Sequence, residues 1–297
     1  MSLPFLFGAN LDPTRGPDDP VARAVRIEEL GYDFLTIQDH PYQAAFHDTW
    51  TLISYVAART SRLSLVPTVA NLPLRPPAML AKAANSLDQL SGGRLQLGLG
   101  AGAFWDAIAA MGGPRRAPGE AVDALDEALD VIRAMWSGDR AVRVDGSVYG
   151  LRGVHPGAAP SPTLGVWLGA YGPRTLALTG AKADGWLPSL GFLPVDRLGA
   201  AIERIDRAAL AAGRDPATIR KVYNLNGTIR ASGGGSGADG PFTGSATRWV
   251  EDIAAVAAVG INGVSYWPDR DHDEQLRRFA TEIVPQLRSS LPVTPRS

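Results

Sequence analysis

The sequence predicts an α/β fold, a (βα)8 TIM barrel with insertion regions, formed by a single domain over residues 1–297. Short β-like runs alternate with longer amphipathic runs from end to end, which is typical of a parallel sheet covered by helices. The alternation repeats eight times, as a closed barrel requires. The length alone also allows two ordinary domains, but no linker separates two halves. One barrel therefore explains the whole chain.

Each predicted strand is a short run rich in apolar or β-branched residues. These runs cover residues 5–11, 34–38, 63–69, 95–99, 165–170, 185–188, 221–229 and 263–267. Each predicted helix has apolar residues at helical spacing, and Gly31 and Gly92 follow two of them as stop signals. The helices cover residues 18–30, 49–60, 76–90, 119–136, 173–183, 195–212, 246–259 and 273–288.

Two stretches interrupt the alternation. Residues 142–162 contain Asp145-Gly146 between β-branched and aromatic residues, which predicts a small hairpin. Residues 232–240 are rich in glycine and predict a mobile loop.

The composition excludes several function classes. The 29 basic and 30 acidic residues give a net charge of -1, so we expect no nucleic-acid or membrane partner. The absence of cysteine excludes disulfides and thiolate chemistry, and without paired histidine motifs we expect no metal site. No apolar run approaches the roughly 20 residues that span a bilayer, and no signal peptide is visible. We expect a cytoplasmic protein.

Asp39 and His40 directly follow the second predicted strand. In a barrel of this kind, function lies where strands end and the following loops begin. Histidine exchanges protons near neutral pH, and a neighbouring carboxylate orients its ring. The pair is therefore a candidate for catalysis, with Asp39 orienting His40. The alternative is that Asp39 caps a turn and His40 is an ordinary loop histidine.

The fourth strand runs into Gly100, Ala101 and Gly102, within a G-x-G-x-x-A pattern that starts at Gly98. This pattern matches a dinucleotide fingerprint, which requires a helix to begin at once. Here the next strong helical run begins only near residue 119, so a Rossmann fold is disfavoured. The missing Cβ atoms would instead let a flat ligand lie close to the backbone.

The fifth strand leads through Gly169, Ala170, Tyr171 and Gly172 into a helix that begins at Pro173 and Arg174. Proline suits the first helical turn, whose free N–H groups and dipole favour an anion. Arg174 adds a guanidinium that matches phosphate. This turn is the best phosphate-site candidate in the chain. The alternative is an ordinary tight turn.

Further polar and aromatic residues lie at or near strand ends, where a substrate would bind. These substrate candidates are Asn10, Trp105, Asn226 and Trp267.

Several motifs together resemble the bacterial luciferase-like family of flavin- and deazaflavin-dependent oxidoreductases. The resemblance covers nearly the whole chain and depends on the order and spacing of the motifs. The motifs are Asp39-His40, Arg75-Pro76-Pro77-Ala78-Met79-Leu80-Ala81-Lys82, Ser86-Leu87-Asp88-Gln89-Leu90-Ser91-Gly92-Gly93-Arg94, Leu97-Gly98-Leu99-Gly100-Ala101-Gly102, Gly169-Ala170-Tyr171-Gly172-Pro173-Arg174, Ala183-Asp184-Gly185-Trp186 and Phe242-Thr243-Gly244-Ser245.

The resemblance implies a cofactor bound across the C-terminal face of the barrel. It implies a non-proline cis peptide at Thr68–Val69, which supports the back of the cofactor ring, and a cofactor phosphate on the turn before Arg174. The overall pattern is closest to the branch that uses coenzyme F420, with FMN as the alternative cofactor. The resemblance also implies a small-molecule substrate and a homodimer.

Three activities stay open within this resemblance. The first is an F420-dependent hydride transfer, and the second is an FMN-dependent monooxygenation. Ala103 stands where sugar-phosphate dehydrogenases of the family carry a catalytic glutamate, so oxidation of a sugar phosphate is disfavoured. The missing acid also leaves a non-catalytic flavin-binding protein as the third reading.

Overall fold

The computed structural model describes residues 3–16, 19–230 and 240–292, and its parallel strands close into a barrel. The strands are β1 (Leu6–Leu11), β2 (Phe34–Ile37), β3 (Ser64–Pro67, resuming as Ala70–Asn71), β4 (Leu97–Gly100), β5 (Val166–Leu168), β6 (Gly185–Trp186), β7 (Arg220–Ile229) and β8 (Gly263–Pro268). They pair in the order β3-β2-β1-β8-β7-β6-β5-β4. The barrel closes because the second segment of β3 pairs with β4, and Leu65 bridges to Leu95. The predicted (βα)8 barrel is confirmed.

A helix follows each strand position. The helices are α1 (Pro20–Glu29), α2 (Thr49–Arg59), α3 (Pro77–Ser91), α4 (Pro118–Met135), α5 (Pro173–Lys182), α6 (Leu198–Ala211), α7 (Ala246–Ala258) and α8, which joins His272–Arg278, a π-helical turn at Phe279–Ile283 and Val284–Ser290. The side chains of Asp19 and Asp48 cap α1 and α2 by accepting backbone N–H bonds. Within the described ranges, no helix combines the length and apolarity that a membrane span requires.

The elements outside the eight strand–helix repeats agree only in part with the predictions from the sequence. The predicted hairpin is present, with Val142–Val144 antiparallel to Leu151–Val154. A short helix, Trp105–Ala110, was not predicted, because its six residues are too few to show a helical period. Part of the predicted glycine-rich loop lies outside the described residues, namely residues 232–239. The same holds for residue 18, at the predicted start of the first helix.

Large apolar side chains fill the lower part of the barrel interior. Phe34, Val66, Trp167, Leu187 and Val222 form this cluster, which we call the lower layer. A second, larger core lies between the strands and the helices.

Glycines make room for the rings of the lower layer. A Cβ atom at Gly8 would lie 2.2 Å from the ring of Phe34, and one at Gly185 would lie 2.5 Å from the ring of Trp167. Because these glycines face large rings, the barrel is filled at its base and functional groups can gather only at its upper end.

Gly98 gives a direct test of this packing. A Cβ atom there would lie 1.9 Å from the carbonyl oxygen of Pro67, a backbone atom that cannot rotate away. We expect Gly98→Ala to lower the free energy of unfolding by about 1–3 kcal/mol, measured by urea denaturation.

Gly199→Ala is the matched control for this variant. Gly199 lies in α6 with open space around its Cα, so alanine should leave stability unchanged or raise it by up to about 1 kcal/mol. Equal unfolding midpoints for Gly98→Ala and the wild type would contradict the packing described here.

Candidate active site

Polar side chains replace the apolar ones above the lower layer. Asn10 on β1 donates through Nδ2 to the carbonyl and hydroxyl oxygens of Thr36, at 3.2 and 3.3 Å. The Thr36 hydroxyl lies 2.7 Å from the Ser265 hydroxyl on β8, and Asn224 on β7 donates to the Ser189 hydroxyl at 3.2 Å. We call these five residues the upper layer. The upper part of the barrel interior therefore holds buried hydrogen-bonding groups.

The third strand is interrupted by a cis peptide bond at Thr68–Val69, the position that the family resemblance implies. The side chain of Val69 then points across the barrel to two glycines. A Cβ atom at Gly100 would lie 2.4 Å from Val69 Cγ2, and one at Gly169 would lie 3.2 Å from Val69 Cγ1. Both glycines therefore make space for this valine.

Gly102 makes space for protein atoms in the same way. Its φ of +100° suits glycine, and a Cβ atom there would lie 2.6 Å from Pro73 and 2.9 Å from Trp105. The prediction that missing Cβ atoms open room for a flat ligand is therefore wrong at Gly100 and Gly102. A contribution of their backbone, and of the neighbouring Ala101, to cofactor binding stays a prediction.

Asp39 binds Arg75 and does not orient His40. Its carboxylate is fully buried and accepts from Arg75 Nε at 2.6 Å, from Arg75 Nη2 at 2.7 Å and from the backbone N–H of Asn71 at 2.8 Å. Arg75 also donates to Asp48, the cap of α2, at 2.6 Å. The predicted catalytic role of Asp39 is therefore not supported by the geometry, because its oxygens are already occupied. It holds together the ends of β2 and β3.

Arg75 was missed by the sequence reasoning. Burial alone would lower the pKa of Arg75, but its hydrogen bonds to Asp39 and Asp48 outweigh burial and raise the pKa above its ordinary value. Burial alone would raise the pKa of Asp48, but the bonds from Arg75 and Thr51 and the charge of Arg75 together lower it. The only local signal was a lone arginine directly before Pro76-Pro77 at a helix start.

His40 lies at the barrel mouth among aromatic rings. Its Nδ1 atom lies 2.6 Å from the hydroxyl oxygen of Tyr42, and the edge of its ring meets Phe104 at a centroid distance of 5.4 Å and an angle of 81°. Burial lowers the pKa of His40, although the negative charge of Asp39 acts in the opposite direction. His40 is therefore held as a neutral imidazole at neutral pH.

The predicted phosphate turn is exposed and lies at the start of α5. Gly172 is the cap residue, Pro173 is the first helical residue, and nothing lies near the open Cα of Gly172 except Thr175. Arg174 is already paired, since its Nη2 atom lies 2.5 Å from Asp123 on α4. Both side chains are about 60% exposed, and such pairs contribute below about 1 kcal/mol. An incoming anion can therefore replace Asp123 at little cost.

The two residues before Gly172 differ in their exposure to solvent. Ala170 is buried and its carbonyl accepts from Trp186 Nε1 at 2.8 Å. Tyr171 is exposed, and its ring lies 5.4 Å from the ring of Phe192. The turn therefore joins a buried strand end to an exposed aromatic pair.

Two of the four substrate candidates lie together. Asn10 and Trp267 line a cavity of about 190 Å³ at the ends of β1, β2 and β8. Its other lining residues are Asp12, Thr14, Gln38, Phe46, Pro268 and His272. Asn226 is exposed beside Asp269, at 3.5 Å, and Trp105 packs against Gly102, so neither lines this cavity.

Several buried polar atoms at the upper end of the barrel have no hydrogen-bond partner in the described part of the chain. They are Oδ1 of Asn71, Oδ1 of Asn224 and Nε1 of Trp267. Buried polar groups are normally paired, so these atoms fit a polar ligand that supplies the missing bonds. A heteroaromatic ring with carbonyl and N–H groups has that chemistry.

Comparison with known proteins supports one family. A profile described as luciferase-like monooxygenase matches residues 1–232. An F420-dependent glucose-6-phosphate dehydrogenase of Amycolatopsis mediterranei is 28% identical over 319 aligned positions, which cover 92% of this chain and 96% of the relative.

Two solved structures share the fold. An F420-dependent secondary alcohol dehydrogenase in complex with an F420-acetone adduct has a TM-score of 0.83 at 18% identity, covering 95% of this chain and 99% of the other. A type II Baeyer-Villiger monooxygenase from Pseudomonas putida, the oxygenating constituent of 3,6-diketocamphane monooxygenase in complex with FMN, has a TM-score of 0.75 at 18% identity, covering 96% and 99%. At these identities the likeness establishes the barrel.

The ion pairs of Arg75 should matter for stability. Arg75→Ala would leave the Asp39 carboxylate buried without its cation, and we expect a loss of about 3–5 kcal/mol in the free energy of unfolding, measured by urea denaturation. Arg115→Ala removes a pair with Asp106 that is largely exposed and should change stability by less than about 0.5 kcal/mol. Equal losses in the two variants would refute a special role for the buried pair.

Proposed function

Since the chain belongs to the luciferase-like monooxygenase family, we propose that it is a coenzyme F420-dependent oxidoreductase that transfers a hydride between the deazaflavin and a small organic substrate. The observation that carries the proposal is the upper part of the barrel, which holds buried polar atoms without a hydrogen-bond partner and has a neutral histidine at its mouth. The F420-dependent relative, aligned over 92% of the chain, supports the choice of cofactor.

The residues suited to hold the cofactor lie along one side of the mouth. In this proposal the backbone at Thr68–Val69 lies behind the ring, and the backbone of Gly102 borders it. The turn from Gly169 to Arg174 receives a phosphate through the first N–H groups of α5 and the guanidinium. A bound deazaflavin supplies hydride transfer and does not activate oxygen.

The chemistry of the cavity points to an uncharged substrate. Its lining includes the carboxylate of Asp12 and neither lysine nor arginine. Arg75 is compensated by two aspartates and Arg174 by Asp123. A phosphorylated sugar would meet a negative charge there, so we propose an uncharged carbonyl or hydroxyl compound that hydrogen-bonds to Asn10 and is covered by Trp267.

An FMN-dependent monooxygenase is the second candidate. A phosphate turn at Gly172 suits the terminal phosphate of FMN as well, and an FMN-containing protein shares the fold. A non-catalytic flavin-binding protein is the third, because Ala103 supplies no acid. The single-domain organisation, the homodimer and the cytoplasmic location also stay predictions from the sequence.

Direct titration distinguishes the cofactors. We expect oxidised F420 to bind at micromolar concentration or below, followed by its fluorescence, and FMN to bind more weakly. Arg174→Ala should weaken binding about tenfold, because it removes a charge-assisted hydrogen bond worth about 1.5 kcal/mol. Arg115→Ala, another exposed arginine, should leave binding unchanged. Tight binding of FMN without binding of F420 would reverse the assignment.

His40 is expected to take part in turnover. His40→Ala should reduce the rate of reduced-F420 oxidation with a panel of uncharged ketones by about 10²–10⁴-fold, with cofactor binding retained. Because burial lowers the pKa of His40, any change in kcat/KM that comes from protonation of His40 should occur below pH 6.5.

The exposed hairpin residue His155 supplies the control for His40. Its Nδ1 atom bonds only to the backbone carbonyl of Arg140, so His155→Ala should leave turnover unchanged. If His40→Ala also turns over normally while binding F420, His40 has no part in the reaction.

A further inference from the structure

We propose that Tyr42 is a positioning residue that fixes the neutral tautomer of His40, placing the ring proton on Nε2 and directing it to the ligand. The catalytic use of that proton rests on the function proposed above. The tautomer itself is a property of the cofactor-free protein and is tested separately.

The distance between the two side chains identifies the donor. His40 Nδ1 and Tyr42 Oη are 2.6 Å apart. Bonds that N–H groups donate to oxygen are usually about 2.7–3.2 Å long, whereas bonds that O–H groups donate to oxygen extend down to about 2.5 Å. The short distance therefore favours the phenol as donor and the unprotonated Nδ1 as acceptor. A neutral imidazole with a lone pair on Nδ1 has its proton on Nε2.

The surroundings keep Tyr42 protonated. Burial raises the pKa of Tyr42 to about 12, and the negative charge of Asp39 adds to this effect. The phenol therefore retains its proton near neutral pH. Tyr42 can thus act as a hydrogen-bond donor to His40.

The ring of His40 has little freedom to turn away. Tyr42 holds Nδ1, and the rings of Tyr42 and Phe104 lie 5.5 and 5.4 Å from the imidazole at angles of 51° and 81°. No residue in the described ranges forms a hydrogen bond with Nε2. Its proton is therefore available to an acceptor atom of a ligand, such as a carbonyl oxygen.

Loss of Tyr42 would lower the fraction of molecules in which Nε2 of His40 carries the proton and can donate a hydrogen bond to the ligand. Without the phenol both neutral tautomers are populated, and the apparent affinity for an acceptor falls in proportion to the competent fraction. Because tautomers interconvert freely, this effect is a few-fold change and not a complete loss. It therefore differs from the expected effect of deleting the imidazole itself.

Nitrogen NMR of the cofactor-free protein tests the tautomer. The chain has four histidines, so long-range ¹H–¹⁵N correlations of the imidazoles are few, and His40→Gln assigns the set that belongs to His40. For the wild type we expect a protonated Nε2 and an unprotonated Nδ1. Tyr42→Phe should move both nitrogen shifts toward the average of two exchanging tautomers. Tyr55→Phe, an exposed tyrosine on α2, should leave them unchanged.

Two outcomes would overturn the proposal. A wild-type spectrum with the proton on Nδ1 overturns it, and so does a Tyr42→Phe spectrum identical to the wild type. The wild-type spectrum is informative even where the variant does not fold, which circular dichroism reports.

With an active enzyme, Tyr42→Phe should lower kcat about two- to tenfold while F420 binding is retained. Absence of any turnover would contradict the proposed function and leave the tautomer assignment standing.

Discussion

The buried ion pair between Asp39 and Arg75 is the constraint on which the mouth of the barrel depends. Asp39 follows β2, Asn71 ends β3, Arg75 precedes α3 and Asp48 caps α2. One hydrogen-bonded network connects all four. A carboxylate with no solvent exposure is tolerated only when its charge is fully compensated. The network therefore fixes where the interrupted third strand lies relative to the second, and with it the position of the adjacent His40.

The strands and helices could be predicted from the sequence because their signals are local. Alternation of short apolar runs with amphipathic runs specifies a parallel sheet with helices, and the observed strands start and end close to the predicted positions. The position of the interrupted strand at Thr68–Val69 came from the family resemblance and from no residue pattern. The short helix Trp105–Ala110 was missed because one and a half turns do not show a period.

The partners of the functional side chains could not be predicted, since they are distant in the chain. Asp39 and Arg75 are separated by 36 positions, and sequence proximity suggested the adjacent His40 as the partner of Asp39. The same limit applies to Gly100. A glycine there indicates that another group lies close to its Cα atom, but the sequence does not identify that group. In the structure, the group is the side chain of Val69. The location of the site on the C-terminal face of the barrel therefore stays a prediction, and the hydrogen-bond partners within it could not be predicted from the sequence.

The division of the barrel interior into two layers has a consequence for how such a protein can change over time. The side chains of Phe34, Trp167 and Val222 below stabilise the barrel by apolar packing. Asn10 and Ser265 above form hydrogen bonds, and Asn10 also borders the cavity. Because the two tasks fall on different residues, exchange of the upper side chains can alter ligand preference without removing the groups that keep the strands together. A scaffold divided in this way can diverge toward new chemistry while remaining folded.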